Sequence, residues 1–347
     1  MIPDTSPESG LQDEVRVPKE GLDLNLYLGG PEALAEAPIT PSNRPSTGGN
    51  SALGGTSNPY IDNAVPLNRL MVRYDAADNN NFPDRAEFFY PQKGPMRNGG
   101  QPLNFQQQST YLEYAPLPNL SGFFEVPVRW VHIPPSTVPN HRQAQQNFSG
   151  FSDLQMGFKY AFFTDPDYFY SFQLRTYLPT GNGATGLGTD HASLEPGLLA
   201  FQRLSERLFV VGEFKDWIPI HGSVSTDTKS PATLGQHFAG NVLNYGVGLT
   251  YNLLVTDRYR VAPSTEFVGW TVLGGLKETQ TGTAVPASGD TIVNFKVGAT
   301  VALGNYLSPT GPTPLNDRLS LYMGYSRALT DDRWYRDMLR VELSWYY

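Results

Sequence analysis

Charged side chains occupy alternate positions in several segments whose intervening positions are apolar. Lys159, for example, lies between Phe158 and Tyr160. Alternate residues of a β-strand point to opposite faces, so parity assigns these charges to one shared face. Mixed signs on an enclosed face can line a wet, weakly selective passage, or they can pair across a narrow lumen and fill it. The set is Glu125, Arg129, Asp153, Lys159, Arg175, Glu195, Glu213, Lys215, Arg260, Glu266, Lys296, Arg340 and Glu342.

Other residues of chemical interest fall in predicted loops. Gly181–Gly186 matches the G-x-G-x-x-G pattern, but it lies between two predicted strands, whereas a dinucleotide site needs a strand followed by a helix. Two groups contain a candidate nucleophile, base and acid, but each lies on a loop without a strained nucleophile turn. These are His191, Ser193 and Asp190, and His221, Ser223 and Asp227. The five histidines, His132, His141, His191, His221 and His237, have no metal-site spacing. The sequence therefore predicts no enzyme, no cofactor and no metal.

Composition excludes several classes of protein. The 347 residues carry a net charge of −8 and no cysteine. An acidic chain lacks the basic face that nucleic acid requires, and without cysteine there is no disulfide framework. No apolar run reaches the roughly 18 residues of a transmembrane helix.

Period-two alternation dominates from about residue 67 onward and predicts long strands. The clearest alternating runs extend for about 9–13 residues, as in tilted membrane-spanning strands, whereas globular strands average nearer 5–6. Thirteen segments qualify: 67–76, 84–90, 108–115, 121–131, 152–163, 168–178, 191–203, 207–218, 239–253, 258–272, 290–304, 317–329 and 336–347. Bacterial single-chain barrels have even strand numbers, so omitting the first segment gives twelve. Adding Leu22–Leu28, where leucines alternate with other residues, would give fourteen.

The links between these strands alternate in length. Short links occur at 116–121, 164–167, 204–207 and 254–257, and long links at 132–150, 179–190, 219–238 and 273–289. In an up-and-down sheet this places every long loop at one end, which is typical of outer-membrane barrels. The last strand ends on the aromatic residue Tyr347, as expected for a strand that closes a barrel and is read by the barrel-assembly machinery. The tryptophans lie near strand ends, which predicts interfacial girdles.

The beginning of the chain differs from the rest. Residues 1–40 contain eight acidic residues against Arg16 and Lys19. Such a segment buries too little apolar area to offset its ordering entropy, so residues 1–60 are predicted to form a flexible acidic arm. No basic and apolar secretion signal is visible at Met1, so we expect the start to be trimmed or misplaced.

Short glycine-rich motifs resemble a known family. They are Gly150-Phe151-Ser152-Asp153-Leu154, Gly157-Phe158-Lys159-Tyr160, Tyr177-Leu178-Pro179-Thr180-Gly181 and Gly186-Leu187-Gly188-Thr189. They are similar to the outer-membrane barrels of the meta-pathway phenol degradation family, best over residues 148–220. The resemblance implies a barrel of about a dozen strands that passes hydrophobic or aromatic solutes, with no catalytic residues to transfer.

The sequence as a whole predicts an all-β protein: a single antiparallel up-and-down transmembrane β-barrel over residues 61–347. The expected function is passive diffusion of small solutes, hydrophobic or aromatic ones among them, across the outer membrane of a Gram-negative-type envelope. Aromatic runs at Phe88–Tyr90 and Tyr168–Tyr170 would serve as girdle and packing residues, or as a track for apolar solutes. Expected partners are outer-membrane lipid, the assembly machinery and the solutes, with no nucleic acid. Two alternatives stay open: a plugged barrel that acts as a surface scaffold or adhesion platform through its long loops, and a soluble all-β binding protein.

Overall fold

The computed structural model describes residues 58–80, 102–135, 145–220, 238–278, 284–304, 306–308, 311–312 and 317–347. The predicted arm up to residue 57, the Leu22–Leu28 segment and the Phe88–Tyr90 run lie outside these residues. Among the residues that it describes, no helix is long and apolar enough to cross a membrane.

Twelve antiparallel strands form one closed barrel. They are β1 (Arg69–Asn80), β2 (Leu103–Leu117), β3 (Leu120–Ile133), β4 (Gln146–Phe151 and Leu154–Asp165), β5 (Tyr168–Leu178), β6 (Ala192–Arg203), β7 (Leu208–Ile220), β8 (Val242–Tyr251), β9 (Tyr259–Val272), β10 (Thr291–Gly304), β11 (Asp317–Ala328) and β12 (Asp337–Tyr346). Leu254–Val255 adds a two-residue ladder beside β9, and two small hairpins lie in the links.

The alternating sequence sets the two faces of the wall. In β12, Leu339 and Trp345 are 61% and 53% exposed, whereas the intervening Arg340 and Glu342 are buried. Most exposed positions of the other strands are likewise apolar or aromatic, apart from polar residues such as Gln106 and Arg318, and most polar neighbours point inward. This arrangement is the reverse of a soluble protein and is the pattern of a barrel that faces lipid.

Closure depends on the first strand. β1 pairs with β12, from Arg69 opposite Tyr346 to Asp78 opposite Asp337, and on its other edge with β2. The prediction that the first candidate strand should be omitted is therefore wrong. β1 and β2 pair directly, and the candidate strand at residues 84–90 lies outside the described residues. A closed ladder leaves no free edge, as hydrocarbon requires.

The two ends of the barrel differ. Links of two to four residues join β2 to β3, β4 to β5 and β6 to β7, and we call this the turn end. The links after β3, β5, β7 and β9 are longer and define the loop end. The prediction that every long loop lies at one end holds only in part, because the 12-residue link from β10 to β11 is at the turn end and the 8-residue link from β11 to β12 is at the loop end. The chain enters β1 and leaves β12 at the turn end, where the Tyr347 N–H donates to the Asn68 carbonyl.

Candidate functional site in the barrel lumen

A stretch of chain without strand structure lies inside the barrel. It consists of residues 58–67, which we call the luminal segment, and it includes the last three residues of the predicted arm. Ala64, Val65 and Leu67 are at most 1% exposed. The segment therefore occupies space that the alternation pattern assigns to an open or side-chain-filled lumen.

Charged side chains of the wall form hydrogen bonds with backbone N–H and carbonyl groups of the luminal segment. The Tyr60 N–H donates to Glu266 (3.1 Å), and the Asp62 N–H donates to Glu213 (3.0 Å). The Val65 carbonyl accepts from the Lys159 ammonium (3.3 Å). Buried backbone groups need such partners, and here the barrel supplies them because the segment makes no ladder of its own. The mixed signs of the inner face thus match the mixed donors and acceptors of a peptide backbone.

The side chain of Asp62 forms the strongest polar contact between the segment and the wall. Its carboxylate accepts from Arg175 Nη2 (2.8 Å), Lys215 Nζ (3.0 Å) and Gln173 Nε2 (2.8 Å). Burial alone would raise the pKa of the Asp62 carboxyl, but Arg175 and Lys215 outweigh it and hold the pKa well below its usual range. Asp62 is therefore ionised at neutral pH and joins the segment to β5 and β7.

Tyr60 contacts the opposite side of the lumen. The Lys296 ammonium lies 3.8 Å from the centroid of the Tyr60 ring, and the Arg340 guanidinium carbon lies 3.9 Å from it. The edge of Tyr322 completes the contact, at a centroid separation of 6.3 Å. Two cations against one ring are attracted by its quadrupole, and the attraction is strongest where water is excluded. Burial also raises the pKa of the Tyr60 phenol, so it stays protonated.

The apolar side of the luminal segment packs against an aromatic patch. Ile61 and Val65 belong to the same buried cluster as Phe169, Phe201 and Phe209. The predicted aromatic run at Tyr168–Tyr170 is therefore divided by parity: Phe169 points inward, whereas Tyr168 and Tyr170 are 36% exposed on the outer face. This inward patch is covered by the segment in the present conformation.

The luminal segment separates two spaces of unequal size. Toward the loop end lies a cavity of about 290 Å³, which we call the upper cavity, and on the side of the turn end lies a space of about 30 Å³. The smaller space has room for about one or two water molecules. The upper cavity is lined by side chains of both signs and by aromatic rings, including Trp217, Trp270, Trp334, Tyr177, Tyr335 and Phe105.

All of the charged residues that parity assigned to the inner face lie there, but in different surroundings. Those around the upper cavity are Glu125, Arg129, Asp153, Arg175, Glu195, Lys215, Lys296 and Arg340. Glu213 and Glu266 hold the luminal segment from the side. Lys159 lies nearer the turn end and pairs with Glu113 at 3.0 Å. A passage role for these residues remains a prediction.

Arg260 and Glu342 belong to separate ion pairs near the turn end. Arg260 pairs with Asp317 at 2.7 Å, and both side chains are fully buried. Glu342 pairs with Arg73 at 3.1 Å and is also bonded to Arg69. Buried charges require such partners, so these two groups contribute to closing the barrel below the segment.

The strand interruption in β4 positions a loop inside the loop end. Asp153, between the two parts of β4, accepts from the Gly181 N–H (3.0 Å), the Thr189 N–H (2.8 Å) and the Thr189 hydroxyl (2.9 Å). Arg129 donates to the Gly186 carbonyl at 3.3 Å. The link between β5 and β6 is thereby drawn inward, and Thr189 reaches the lining of the upper cavity.

The G-x-G-x-x-G pattern has a packing explanation in this loop. A side chain at Gly181 would place Cβ 2.2 Å from the Leu187 carbonyl oxygen, and Gly186 has a φ of 76°, which favours glycine. Gly183–Thr185 forms one 3₁₀ turn rather than the start of an α-helix.

The catalytic candidates His191, Ser193 and Asp190 do not assemble, whereas His221, Ser223 and Asp227 lie outside the described residues. Nδ1 of His191 lies 2.7 Å from the Thr189 carbonyl, and the Asp190 carboxylate accepts from the Gly183 N–H. Burial lowers the pKa of the His191 imidazole, so it is neutral at pH 7. His221, His237 and His141 lie outside the described residues. Within the described ranges, no group of three potential ligands could hold a metal ion.

Tryptophan placement corrects one prediction. Trp130 and Trp345 are 40% and 53% exposed on the outer face, as an interfacial girdle requires. Trp217 and Trp334 are buried, and with Trp270 they line the upper cavity. Position near a strand end does not distinguish the two faces, because the face depends on parity within the strand.

Sequence reasoning missed the luminal segment and several wall residues that pair around it. Glu113, Asp75 and Asp317 carry three of the buried ion pairs and were not assigned to the inner face. A signal for the segment does exist: Tyr60, Ile61, Val65 and Leu67 form an apolar run after a Gly-rich and Ser-rich stretch.

Comparison with solved structures identifies similar folds. The chain superposes on the COG4313 outer membrane channel from Pseudomonas putida F1 with a TM-score of 0.52 at 15% sequence identity, over 84% of this chain and 99% of that one. Two further structures are more distantly similar. The β domain of the Bordetella autotransporter Brka has a TM-score of 0.47 at 12% sequence identity, over 81% of this chain and 99% of that one. The NanC porin has a TM-score of 0.43 at 10% sequence identity, over 80% of this chain and 100% of that one. No protein-family profile and no curated protein matches the chain, so the phenol-degradation resemblance stays a prediction. The chain has the fold of an outer-membrane β-barrel.

Proposed function

We propose that this protein is an outer-membrane channel or transporter for small solutes, and that the luminal segment must move for a solute to pass. The observation that carries the proposal is the pair of unequal spaces on the two sides of the segment. A solute can be accommodated in the upper cavity of about 290 Å³, but the 30 Å³ beyond it is too small for anything except water. Passage therefore depends on displacement of residues 58–67.

The fold supports an outer-membrane location. The outward apolar band meets lipid, and β12 closes the ladder against β1, so no free edge faces hydrocarbon. Short turns face the periplasm in such barrels, so the turn end would be periplasmic and the loop end external. Solutes would enter the upper cavity from outside and diffuse down their gradient.

Aromatic or otherwise hydrophobic solutes are the favoured cargo. Support comes from the family resemblance and from the rings of Trp217, Trp270 and Trp334 around the upper cavity. Such rings offer apolar contact area, while the neighbouring charges keep the cavity wet. This combination suits small amphipathic molecules better than large polar ones.

A reversible lock on the luminal segment tests the proposal. The Ser171 hydroxyl donates to the Ala64 carbonyl, and the chain contains no cysteine, so the double variant Ala64→Cys with Ser171→Cys can be oxidised without competing thiols. In a planar bilayer we expect the oxidised double variant to conduct at least tenfold less than the reduced form. The single variant Ser171→Cys should not respond to reductant.

The alternative of a plugged scaffold is favoured by the same closure of the lumen. Under that hypothesis the segment is permanent, and function lies in the long loops. A folded protein that stays silent in the bilayer, with the lock reduced and also after deletion of residues 1–67, would contradict the channel and support the scaffold.

A further inference from the structure

Two side chains of the luminal segment are held as a bound ligand would be. The Asp62 carboxylate accepts from Arg175, Lys215 and Gln173, and the Tyr60 ring lies against two further cations, Lys296 and Arg340. A carboxylate and an aromatic ring, two residues apart, are thus recognised by separate parts of the wall.

If Asp62 leaves its place, Arg175 loses its carboxylate partner, whereas Lys215 does not. Lys215 also contacts Glu195 (3.1 Å) and Glu213 (3.0 Å), so it keeps wall partners. Arg175 differs, because within the described residues Asp62 is the one carboxylate within 4.0 Å of its guanidinium. The Arg175 side chain is only 11% exposed. A guanidinium buried to this degree without an anion is costly, so an incoming anion would take this place.

The cations around the Tyr60 ring favour an aromatic group at that position. Arg340 is held by a bidentate pair with Asp75 at 2.7 and 2.8 Å. The Lys296 ammonium has no carboxylate within 4.0 Å in the described part of the chain and instead faces the rings of Tyr60 and Trp270, at 3.8 and 5.4 Å from their centroids. Since an aromatic face attracts cations and an aliphatic group does not, this subsite favours an aromatic body.

Both subsites are accessible to a solute. Four of the residues that hold the ring and the carboxylate line the upper cavity, as do Tyr60 and Asp62 themselves. They are Arg175, Lys215, Lys296 and Arg340, whereas Gln173 lines the smaller space. A molecule that reaches the cavity from the loop end therefore meets the cations that hold the luminal segment, and it can compete for them.

We propose that Tyr60 and Asp62 occupy the barrel's own binding site for small aromatic carboxylates, with Arg175, Lys215 and Gln173 binding the carboxylate and Lys296 and Arg340 the ring. This deepens the proposed function and rests on it for the idea that such a solute travels onward. Binding of the anion would displace the segment and so couple recognition to opening.

Equilibrium binding to the full-length protein in detergent tests the site without requiring transport. Benzoate is the probe, titrated calorimetrically, with benzyl alcohol and benzylamine as the neutral and cationic comparisons. In Asp62→Asn, which keeps the side-chain size but removes the competing charge, we expect benzoate to bind at least tenfold more tightly than in the wild type. Asp167→Asn is the matched control, because that carboxylate is 59% exposed at a turn.

Two results complete the test. Adding Arg175→Gln to the Asp62→Asn protein should remove the gain for benzoate, while the heat-modified mobility of folded barrel is retained. If benzoate affinity is unchanged in folded Asp62→Asn, or if benzyl alcohol gains equally, the site assignment is wrong. Tight benzoate binding with no conductance would leave the site intact and reject passage, whereas conductance without benzoate selectivity would reject the site alone.

Discussion

Replacing Asp62 by alanine should loosen the luminal segment while leaving the barrel wall intact. The substitution removes the contacts to Arg175, Lys215 and Gln173 at 2.8, 3.0 and 2.8 Å. It does not touch the strand ladder, because residues 58–67 contribute no strand.

The magnitude follows from the burial of the carboxylate. Hydrogen bonds to charged groups contribute about 1.5–3 kcal/mol each when buried, but the Asp62 side chain keeps 24% exposure. Water can therefore replace part of what is lost, and we take about 3 kcal/mol for the whole group. At 1.4 kcal/mol per factor of ten, the ratio of displaced to seated segment should rise by about a hundredfold.

Thiol modification measures that ratio directly. Ala64 is fully buried, so Ala64→Cys should react with a water-soluble maleimide only when the segment leaves its place. We expect the rate in Ala64→Cys with Asp62→Ala to exceed that in Ala64→Cys alone by about a hundredfold, with no change for Asp167→Ala. A rise of less than threefold in folded protein would refute the assignment of Asp62 as the main polar anchor.

Three further outcomes follow from the same geometry. Tyr60→Leu should raise the thiol-modification rate of Ala64→Cys about thirtyfold, because about 2 kcal/mol of cation–π attraction is lost. Tyr60→Phe should leave this rate unchanged, because the phenol oxygen has no hydrogen-bond partner among the described residues. Because the pKa of Asp62 is depressed in the seated state, its contribution is complete above the ordinary value of about 3.9 and is lost as pH falls through the depressed pKa. The ratio of the thiol-modification rates of Ala64→Cys with and without Asp62→Asn should therefore be constant from pH 8 to 5 and approach one only below about pH 4. Gly157→Ala would place Cβ 2.0 Å from the Leu174 carbonyl oxygen and should lower the free energy of unfolding by about 1–3 kcal/mol, measured as a lower temperature of heat modification. At Gly122 the atom nearest to an added Cβ is 3.8 Å away, so Gly122→Ala should be tolerated.

Local pattern was sufficient for the wall. Strand period, loop lengths and an aromatic terminus depend on near neighbours in the chain, and the described structure has the predicted twelve-strand barrel. The omission of the first candidate, 67–76, was wrong because its role depends on pairing that is not local. β1 pairs directly with β2 and with β12, which is distant in the sequence, and so closes the barrel.

The site required more than parity. Parity placed Arg175, Lys215 and Lys296 on the inner face, but it could not say which partners they meet, since those partners lie on different strands or on the luminal segment. Tyr60 is 206 residues from Glu266, and Asp62 is 113 residues from Arg175. The interruption of β4 at Asp153 was likewise invisible, because it depends on backbone N–H groups of a loop about 30 residues later.

The sequence by itself therefore determined the class of fold, the two faces of each strand and the presence of balanced charge inside. These features follow from side-chain direction, which has a fixed period along a strand. Only the tertiary structure decided what fills the barrel. The local sequence does not determine which residue a buried charge pairs with, because the partners come together only when the strands close. Closure brings Asp62 onto Arg175 and Lys215 and places the Tyr60 ring against Lys296 and Arg340, so that the lumen holds a segment of its own chain.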